Sequence, residues 1–118
     1  MTIEADLFNT LKTLVANRVY PDLAPIGTPR PFITYSQVGG EALAFLENTL
    51  PDKKNGRFQI DVYADSRAVC AAVALQVETV MTAAAAFQAR AMGAPVSGYE
   101  PDVLICSSMQ DFSVWSAR

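Results

Sequence analysis

One stretch of the sequence, residues 56–81, joins a strand pattern directly to a helix pattern. Its first half alternates apolar and polar residues, with Phe58, Ile60 and Val62 on one face, as in a strand that is covered on one side. Asp65 or Ser66 then offers a side-chain oxygen to cap a helix. The apolar residues of this helix recur at helical spacing: Val69, Val73, Val77, Val80 and Met81. A one-sided strand followed by a one-sided helix predicts that sheet and helix bury these surfaces against each other.

Elements of both kinds recur along the rest of the chain. The patterns predict a helix at 3–17 capped by Thr2, a short extended segment at 18–22, and strands at 32–38, 87–92 and 103–115, the last kinked near Ser107. Loops rich in Pro and Gly separate them at 23–31 and 93–102. Because strands come in runs, the sheet is predicted to be mainly antiparallel. We therefore predict an α+β two-layer sandwich, with four to five strands packed against two helices in the order α-β-β-(β)-α-β-β.

Residues 39–56 fit two interpretations. After the turn-competent pair Gly39-Gly40, residues 42–47 suit either a returning hairpin strand or part of a long mobile arm with its tip at 48–55. We favour a hairpin with a loose end, which makes residues 1–118 one domain with a mobile hairpin arm at 39–56. The apolar residues of this segment either contact another chain or tuck back onto the sheet, and both remain open. They are Leu43, Phe45, Leu46 and Leu50.

Composition narrows the class of protein. A chain of 118 residues suits one domain. The net charge of −3 and a pI near 4.7 argue against direct recognition of nucleic-acid sequence, which relies on clustered Lys and Arg. The longest apolar run, Ala68–Leu75, is too short to span a bilayer, and the N-terminus lacks the pattern of an export signal. Cys70 and Cys106 are therefore predicted to be free thiols rather than a disulfide.

The residues offer no catalytic constellation. The chain contains no histidine, which removes the commonest general base and a common metal ligand. Asp61 and Asp65 span a strand end and a turn, so they do not form a paired acid site. Gly39-Gly40 lacks the further glycine and the following helix of a phosphate-binding loop. These observations predict a protein that is not an enzyme and uses no cofactor or metal.

The layout and two short motifs resemble those of a known family. The motifs are Arg18-Val19-Tyr20-Pro21 and Arg57-Phe58-Gln59-Ile60-Asp61-Val62-Tyr63-Ala64. Together with the N-terminal helix and the strand at 31–35, their order and spacing resemble the tail-completion, or tail-terminator, proteins of long-tailed bacteriophages and prophages. The likeness is good over residues 3–82 and extends to the final strands only in layout.

This resemblance implies a structural role in virion assembly. Such proteins form a ring, usually a hexamer, on the head-proximal end of the tail tube. The ring stops polymerisation of the tube and helps to join tail to head. The implied partners are other copies of the chain, the tail tube protein and head–tail connector proteins, and the free subunit can be monomeric. The implied location is the bacterial cytoplasm during assembly and then the tail–head junction of the virion.

The arm supplies the candidate interface with the tube or with a neighbouring subunit. Apolar residues there would provide burial, and basic residues would set the register. The candidate residues are Phe45, Leu46, Lys53, Lys54 and Arg57. Two other functions remain open at this point: another head–tail connector component of the neck, and a small ligand-binding regulatory α+β domain.

Overall fold

A computed structural model describes residues 2–41 and 53–117 of the chain. Within these two ranges the protein has two α-helices and a six-stranded, mostly antiparallel sheet, which makes it an α+β protein. The elements in chain order are α1 (Ile3–Leu11), a 3-10 turn (Lys12–Leu14), β1 (Val19–Pro21), β2 (Phe32–Gly39), β3 (Lys53–Ala64), α2 (Arg67–Ala83), β4 (Gln88–Ala91), β5 (Val96–Glu100) and β6 (Ile105–Ala117).

The sheet is built around its two longest strands. β3 and β6 pair antiparallel along their whole length, from Lys53 opposite Ala117 to Ala64 opposite Cys106. β2 pairs antiparallel with the other side of β3, and the short β1 adds to β2 in parallel. β4 and β5 pair with different parts of the remaining side of β6. β1 and the β4–β5 pair therefore form opposite edges of the sheet.

Three expectations about the strands need correction. Among the described residues there are six strands rather than four to five, and three of them rather than two follow α2. The additional strand, β5, lies within the predicted loop 93–102 and consists largely of exposed residues, so it lacks the buried alternation that marks a strand in sequence. β6 pairs continuously with β3 through Ser107, so the expected kink is absent there.

Strand alternation divides the sheet into two faces. From Gly56 and Cys106 onward, every second residue of β3 and β6 is buried, and the apolar ones among them share one core with buried side chains of both helices. Core side chains with almost no exposed surface include Leu7, Leu11, Ile33, Ile60, Val62, Cys70, Val77, Met81, Phe112 and Val114. Since burial of a large apolar side chain contributes roughly 1.5–3 kcal/mol, this face provides most of the stability of the fold.

The helices begin as predicted but differ in extent and in buried face. The Oγ1 of Thr2 accepts a hydrogen bond from the N–H of Ala5, and the Oγ of Ser66 accepts one from the N–H of Val69. Ser66 is thus the cap of α2. The α-helical part of α1 ends at Leu11 and not near Asn17, because the chain tightens into the 3-10 turn and then takes left-handed φ angles.

One residue of the predicted apolar stripe of α2 does not lie on the buried face of the helix. Val69 is 44% exposed, whereas Cys70 and Ala74 are buried. α2 packs against β3, β4 and β6, and this orientation turns the Cys70 side of its first turn toward the sheet. Both cysteines are buried free thiols, and burial raises the pKa of Cys70. Across the described part of the chain, no helix is long and apolar enough to span a membrane.

Candidate interaction surface

The face of the sheet opposite the core, here called the open face, carries polar and aromatic side chains. It consists of the strand residues that alternate with the core positions. Its main members are Tyr20, Phe32, Thr34, Arg57, Gln59, Asp61, Tyr63, Arg90, Met109, Asp111, Ser113 and Trp115. No helix among the described residues covers this face. It therefore offers a sheet surface on which a partner molecule can lie.

The centre of the open face holds a cross-strand ion pair beside a side-chain hydrogen bond. Arg57 on β3 donates from Nε and Nη2 to Oδ2 of Asp111 on β6, at 2.9 and 2.6 Å. The Nε2 of Gln59 donates to both carboxylate oxygens of Asp61 at 3.2 Å. Toward the end of the strand, the rings of Phe32 and Tyr63 stack with their centroids 5.0 Å apart. These contacts restrict the freedom of the surface side chains.

Partial burial changes the proton affinity of two groups on this face. Burial raises the pKa of Asp61, and the neighbouring Asp111 carboxylate raises it further, while the hydrogen bond from Gln59 opposes both effects. Burial and the negative charge of Asp61 likewise raise the pKa of Tyr63. The directions are those expected where desolvation disfavours the charged form. Both shifts favour the neutral form of the side chain.

The structure separates the candidate residues predicted from sequence. Lys53 and Arg57 lie on the open face, four residues apart on β3, whereas Lys54 points to the opposite face. Arg57 is already paired with Asp111, so part of its charge is neutralised within the chain. Phe45 and Leu46 lie outside the described residues. The predicted arm at 39–56 includes residues 53–56, which are the first residues of β3.

Asn55 joins the ends of β2 and β3 at this end of the sheet. Its Oδ1 accepts a hydrogen bond from the N–H of Glu41 at 3.0 Å, and its Nδ2 donates to the Oγ of Ser113 at 2.9 Å. Gly40 must lack a side chain here, because a Cβ atom would lie 2.5 Å from the carbonyl oxygen of Asn55. Gly40 and Glu41 are therefore held against Asn55 near the start of β3.

At the opposite end of the sheet, the loop 22–30 lies against the open face and encloses a cleft of about 310 Å³. The apolar walls of the cleft include Phe32, Tyr63, Val103 and Ile105. Arg30 fastens this end, since it donates to Asp65 at 2.9 Å and to the carbonyl oxygens of Val103 and Leu104 at 3.1 and 3.2 Å. Sequence reasoning identified this loop only as a Pro- and Gly-rich crossing.

Sequence reasoning also missed several apolar side chains that the structure exposes. Ile26 is fully exposed and Leu23 is 83% exposed in the loop after β1, and Leu75 is 67% exposed on α2 beside the β5 edge. A signal was available: Ile26 stands between Pro25 and Gly27, and the only charged residue between Arg67 and Ala83 is Glu78.

These features define a class of protein: a small α+β subunit with one sheet face that no described helix covers and with exposed apolar side chains, suited to assembly. Comparison with known families agrees. The family model of the tail completion protein gp17 matches residues 8–116. The chain therefore belongs to the tail completion protein gp17 family. No individually curated protein matches the chain.

Family membership gives the chain a structural role in a phage tail. As a tail protein it is located in the tail of the virion, and it interacts there with other tail or head–tail proteins. The family is a structural one and is not known for enzymatic activity.

Proposed function

We propose that this protein caps the head-proximal end of the tail tube, ends polymerisation of the tube and helps to join the tail to the head. The observation that carries the proposal is the family match over residues 8–116, which covers nearly all of the described fold. In the assembled state the subunits form a ring, six being the usual number implied by the resemblance. The partners are the tail tube protein on one side of the ring and connector proteins on the other.

The open face supports this proposal through its size and chemistry. A capping subunit needs a wide, ordered surface that is free in the isolated chain and becomes covered on assembly. The Arg57–Asp111 pair and the Phe32–Tyr63 stack provide order, while Lys53 at the end of β3 is exposed. The end of the sheet bearing Lys53 is our candidate contact with the tube or with a neighbouring subunit, and Phe45 and Leu46 in the adjoining segment add apolar contacts in this proposal.

Deletion of the gene from an inducible phage or prophage tests the function. Electron microscopy of the lysate should show overlong, headless tails beside filled heads, because nothing then stops the tube at its correct length. Purified protein added to the tails while they grow should cap them and stop further elongation. The tail-length distribution is the decisive readout, since it reports termination independently of joining.

The other outcomes of the deletion distinguish tail capping from related functions. Tails of normal length that fail to join heads would assign the protein to the head–tail connector instead. Infectious virions of normal appearance would contradict a role at the head end of the tail altogether. A variant that replaces Leu11 by Ala, and thereby weakens the core, is a useful control because it should reproduce the deletion only at temperatures where the protein unfolds.

A further inference from the structure

The outer face of α2 carries almost no charge. A surface helix ordinarily presents charged residues to solvent, but after Arg67 every exposed residue of α2 is uncharged. These residues are four alanines, two threonines, Val69, Leu75 and Gln76. Leu75 is 67% exposed, the largest exposed fraction among the large apolar side chains of this helix. An uncharged face with a protruding leucine is suited to contact with another protein.

A groove of about 260 Å³ lies beside this face, between α2 and the segment that contains β5. On the sheet side it is lined by Pro95 and Ser97, among others. On the helix side its lining residues recur every three or four positions and form one stripe along α2: Arg67, Cys70, Ala71, Ala74, Leu75 and Glu78. The middle of the stripe contains small side chains, so the side chains of a partner helix can pack closely against it.

The two charged residues of this stripe lie at its opposite ends and have opposite signs. Arg67 is the first residue of α2, and Glu78 is three helical turns further on, about 16 Å along the axis. Arg67 is exposed and takes part in no salt bridge among the described residues. Glu78 is half-buried, and its Oε1 accepts a hydrogen bond from Nε2 of Gln110 at 2.7 Å. The groove is therefore positive at one end and negative at the other.

This distribution of charge is complementary to itself when one copy is reversed. If two α2 helices packed in parallel through this stripe, Arg67 would face Arg67 and Glu78 would face Glu78, which is repulsive. In antiparallel packing about a two-fold axis, Arg67 of each copy faces Glu78 of the other, and both contacts are attractive. The presence of both signs in the groove thus selects a second, antiparallel copy of α2 as its occupant.

We propose that two copies of the free protein pair through the α2 groove, antiparallel about a two-fold axis, with a salt bridge at each end of the contact. The register that joins the charges sets Ala71 of each copy opposite Ala74 of the other at the centre. It also sets Leu75 of each copy level with Cys70 of the other, where the groove is lined by small side chains. The exposed leucine is thereby removed from water, which favours pairing.

This pairing goes beyond the proposed capping function. An isologous contact uses the same patch on both copies and closes at two, whereas a ring requires contacts between two different surfaces. The pair therefore belongs to the free protein before it joins a tail. Because the contact involves one helix and the adjoining part of the sheet edge, its area is small and the association is expected to be weak.

Disulfide trapping tests the contact in the purified full-length protein. Ala71→Cys and its matched control Ala72→Cys are oxidised mildly, and the rate of homodimer formation is measured on non-reducing denaturing gels. Both alanines are exposed on α2, but only Ala71 lines the groove. In the proposed pair the two copies of residue 71 are about 4.5 Å apart along the helix axis. Ala71→Cys should therefore be trapped at least about 10-fold faster, a ratio that corresponds to about 1.4 kcal/mol. Equal rates would overturn the proposal. The wild-type protein, whose two cysteines are buried, gives the background rate.

Neutralisation of one charge tests the orientation of the two copies. Arg67→Gln and Glu78→Gln, each added to Ala71→Cys, should slow trapping about 3-fold, because by symmetry either change removes both salt bridges. The variant with both changes should be no slower than either alone. Glutamine at position 78 retains an acceptor for the hydrogen bond from Gln110, and circular dichroism checks each fold. Faster trapping would indicate parallel helices, and an unchanged rate would remove the charges from the contact. Either result would overturn the proposed pairing.

Sedimentation equilibrium provides a readout that needs no cysteine. The wild-type protein should show a monomer–dimer equilibrium, and Leu75→Lys should shift it to monomer because it places a charge in the groove. Gln76→Lys, which is exposed on α2 outside the groove, is the matched control and should leave the equilibrium unchanged. A wild-type protein that stays monomeric at its highest soluble concentration would overturn the pair. That result would leave the capping function standing if phages without the gene still make overlong tails.

Discussion

The two faces of the central sheet use the same strands for different purposes. On the core face, Phe58, Ile60 and Phe112 are 3%, 1% and 0% exposed. On the open face, their immediate neighbours Arg57 and Asp111 form an ion pair at the surface. Because successive side chains of a strand point to opposite faces, one strand can supply stability on one face and recognition on the other. Substitutions at adjacent positions should therefore have unlike effects.

The largest contrast is expected between Phe112 and Trp115 on β6. Phe112→Ala should reduce the free energy of unfolding by about 3–5 kcal/mol, because it removes a fully buried ring and leaves a cavity. Trp115→Ala, on the half-exposed open face, should cost about 1 kcal/mol. Urea unfolding followed by circular dichroism measures both. Similar losses at the two positions would show that the open face is covered within the chain.

A smaller effect is expected for the ion pair on the open face. Arg57 and Asp111 are 47% and 22% exposed in their side chains, so solvent screens their attraction. A double-mutant cycle with Arg57→Met and Asp111→Asn should give a coupling energy of about 0.5–1 kcal/mol that falls as salt is added. A coupling that is independent of salt would indicate that the pair is packed rather than electrostatic. Gln88→Ala, which removes another open-face side chain outside this pair, serves as a control.

A still smaller effect, with a defined pH dependence, is expected at Asp61. Burial raises the pKa of this carboxyl in the folded state, so the folded protein binds more protons than the unfolded chain as the group titrates. Stability attributable to Asp61 is therefore full below its unfolded pKa and is lost as the pH rises through the folded value. Asp61→Asn should stabilise the protein at pH 7 by about 0.5 kcal/mol or less. The difference should vanish in acid.

The pH dependence has a direct check. Unfolding of the wild-type protein and of Asp61→Asn is compared at pH 7 and again at a pH below the range in which carboxylates ionise. Gln59 donates its hydrogen bond to Asp61, and asparagine retains an acceptor for it, so the comparison isolates the charge. A substitution that destabilises at pH 7 would show that the ionised carboxylate is favoured in the folded state, contrary to the stated direction.

The sequence predicted the elements that bury an apolar pattern and missed those that do not. The period-2 alternation at Phe58, Ile60 and Val62 marked β3 because only a covered strand needs it. β5 has exposed residues on both faces, so its sequence has no alternation of apolar and polar residues that would predict a strand. It is a strand because it pairs with β6. The sequence also did not predict which side of α2 faces the sheet. Val69 and Cys70 are both apolar, and the position of the sheet decides which of them is buried.

The candidate site was predictable to a lesser degree. Clustered charges identified Lys53, Lys54 and Arg57, but a strand places neighbours on opposite faces, and the register that pairs Arg57 with Asp111 depends on residues 54 positions away in sequence. The exposure of Ile26 depends on how its loop lies against the sheet, which the local sequence does not determine. Local patterns therefore indicated which residues are unusual, and the tertiary structure was needed to show which of them share a surface.

The smallest effect on stability, and the sharpest on function, is expected at Lys53 and Lys54. Lys53 is exposed on the open face, whereas Lys54 is half-buried on the other face beside Ile3 and Phe58. Lys53→Glu should change the free energy of unfolding by about 0.5 kcal/mol or less. If this end of the open face contacts the tube, the same change should weaken capping of purified tails about 5- to 10-fold, because a charge reversal at a contact produces repulsion.

Lys54→Glu is the matched control and should leave capping near the wild-type level while it costs more stability. Equal loss of capping in both single variants would indicate that net charge, rather than one face, governs the contact. A folded double variant that caps as well as wild type would exclude both lysines from it, and the capping surface would then have to lie elsewhere on the sheet.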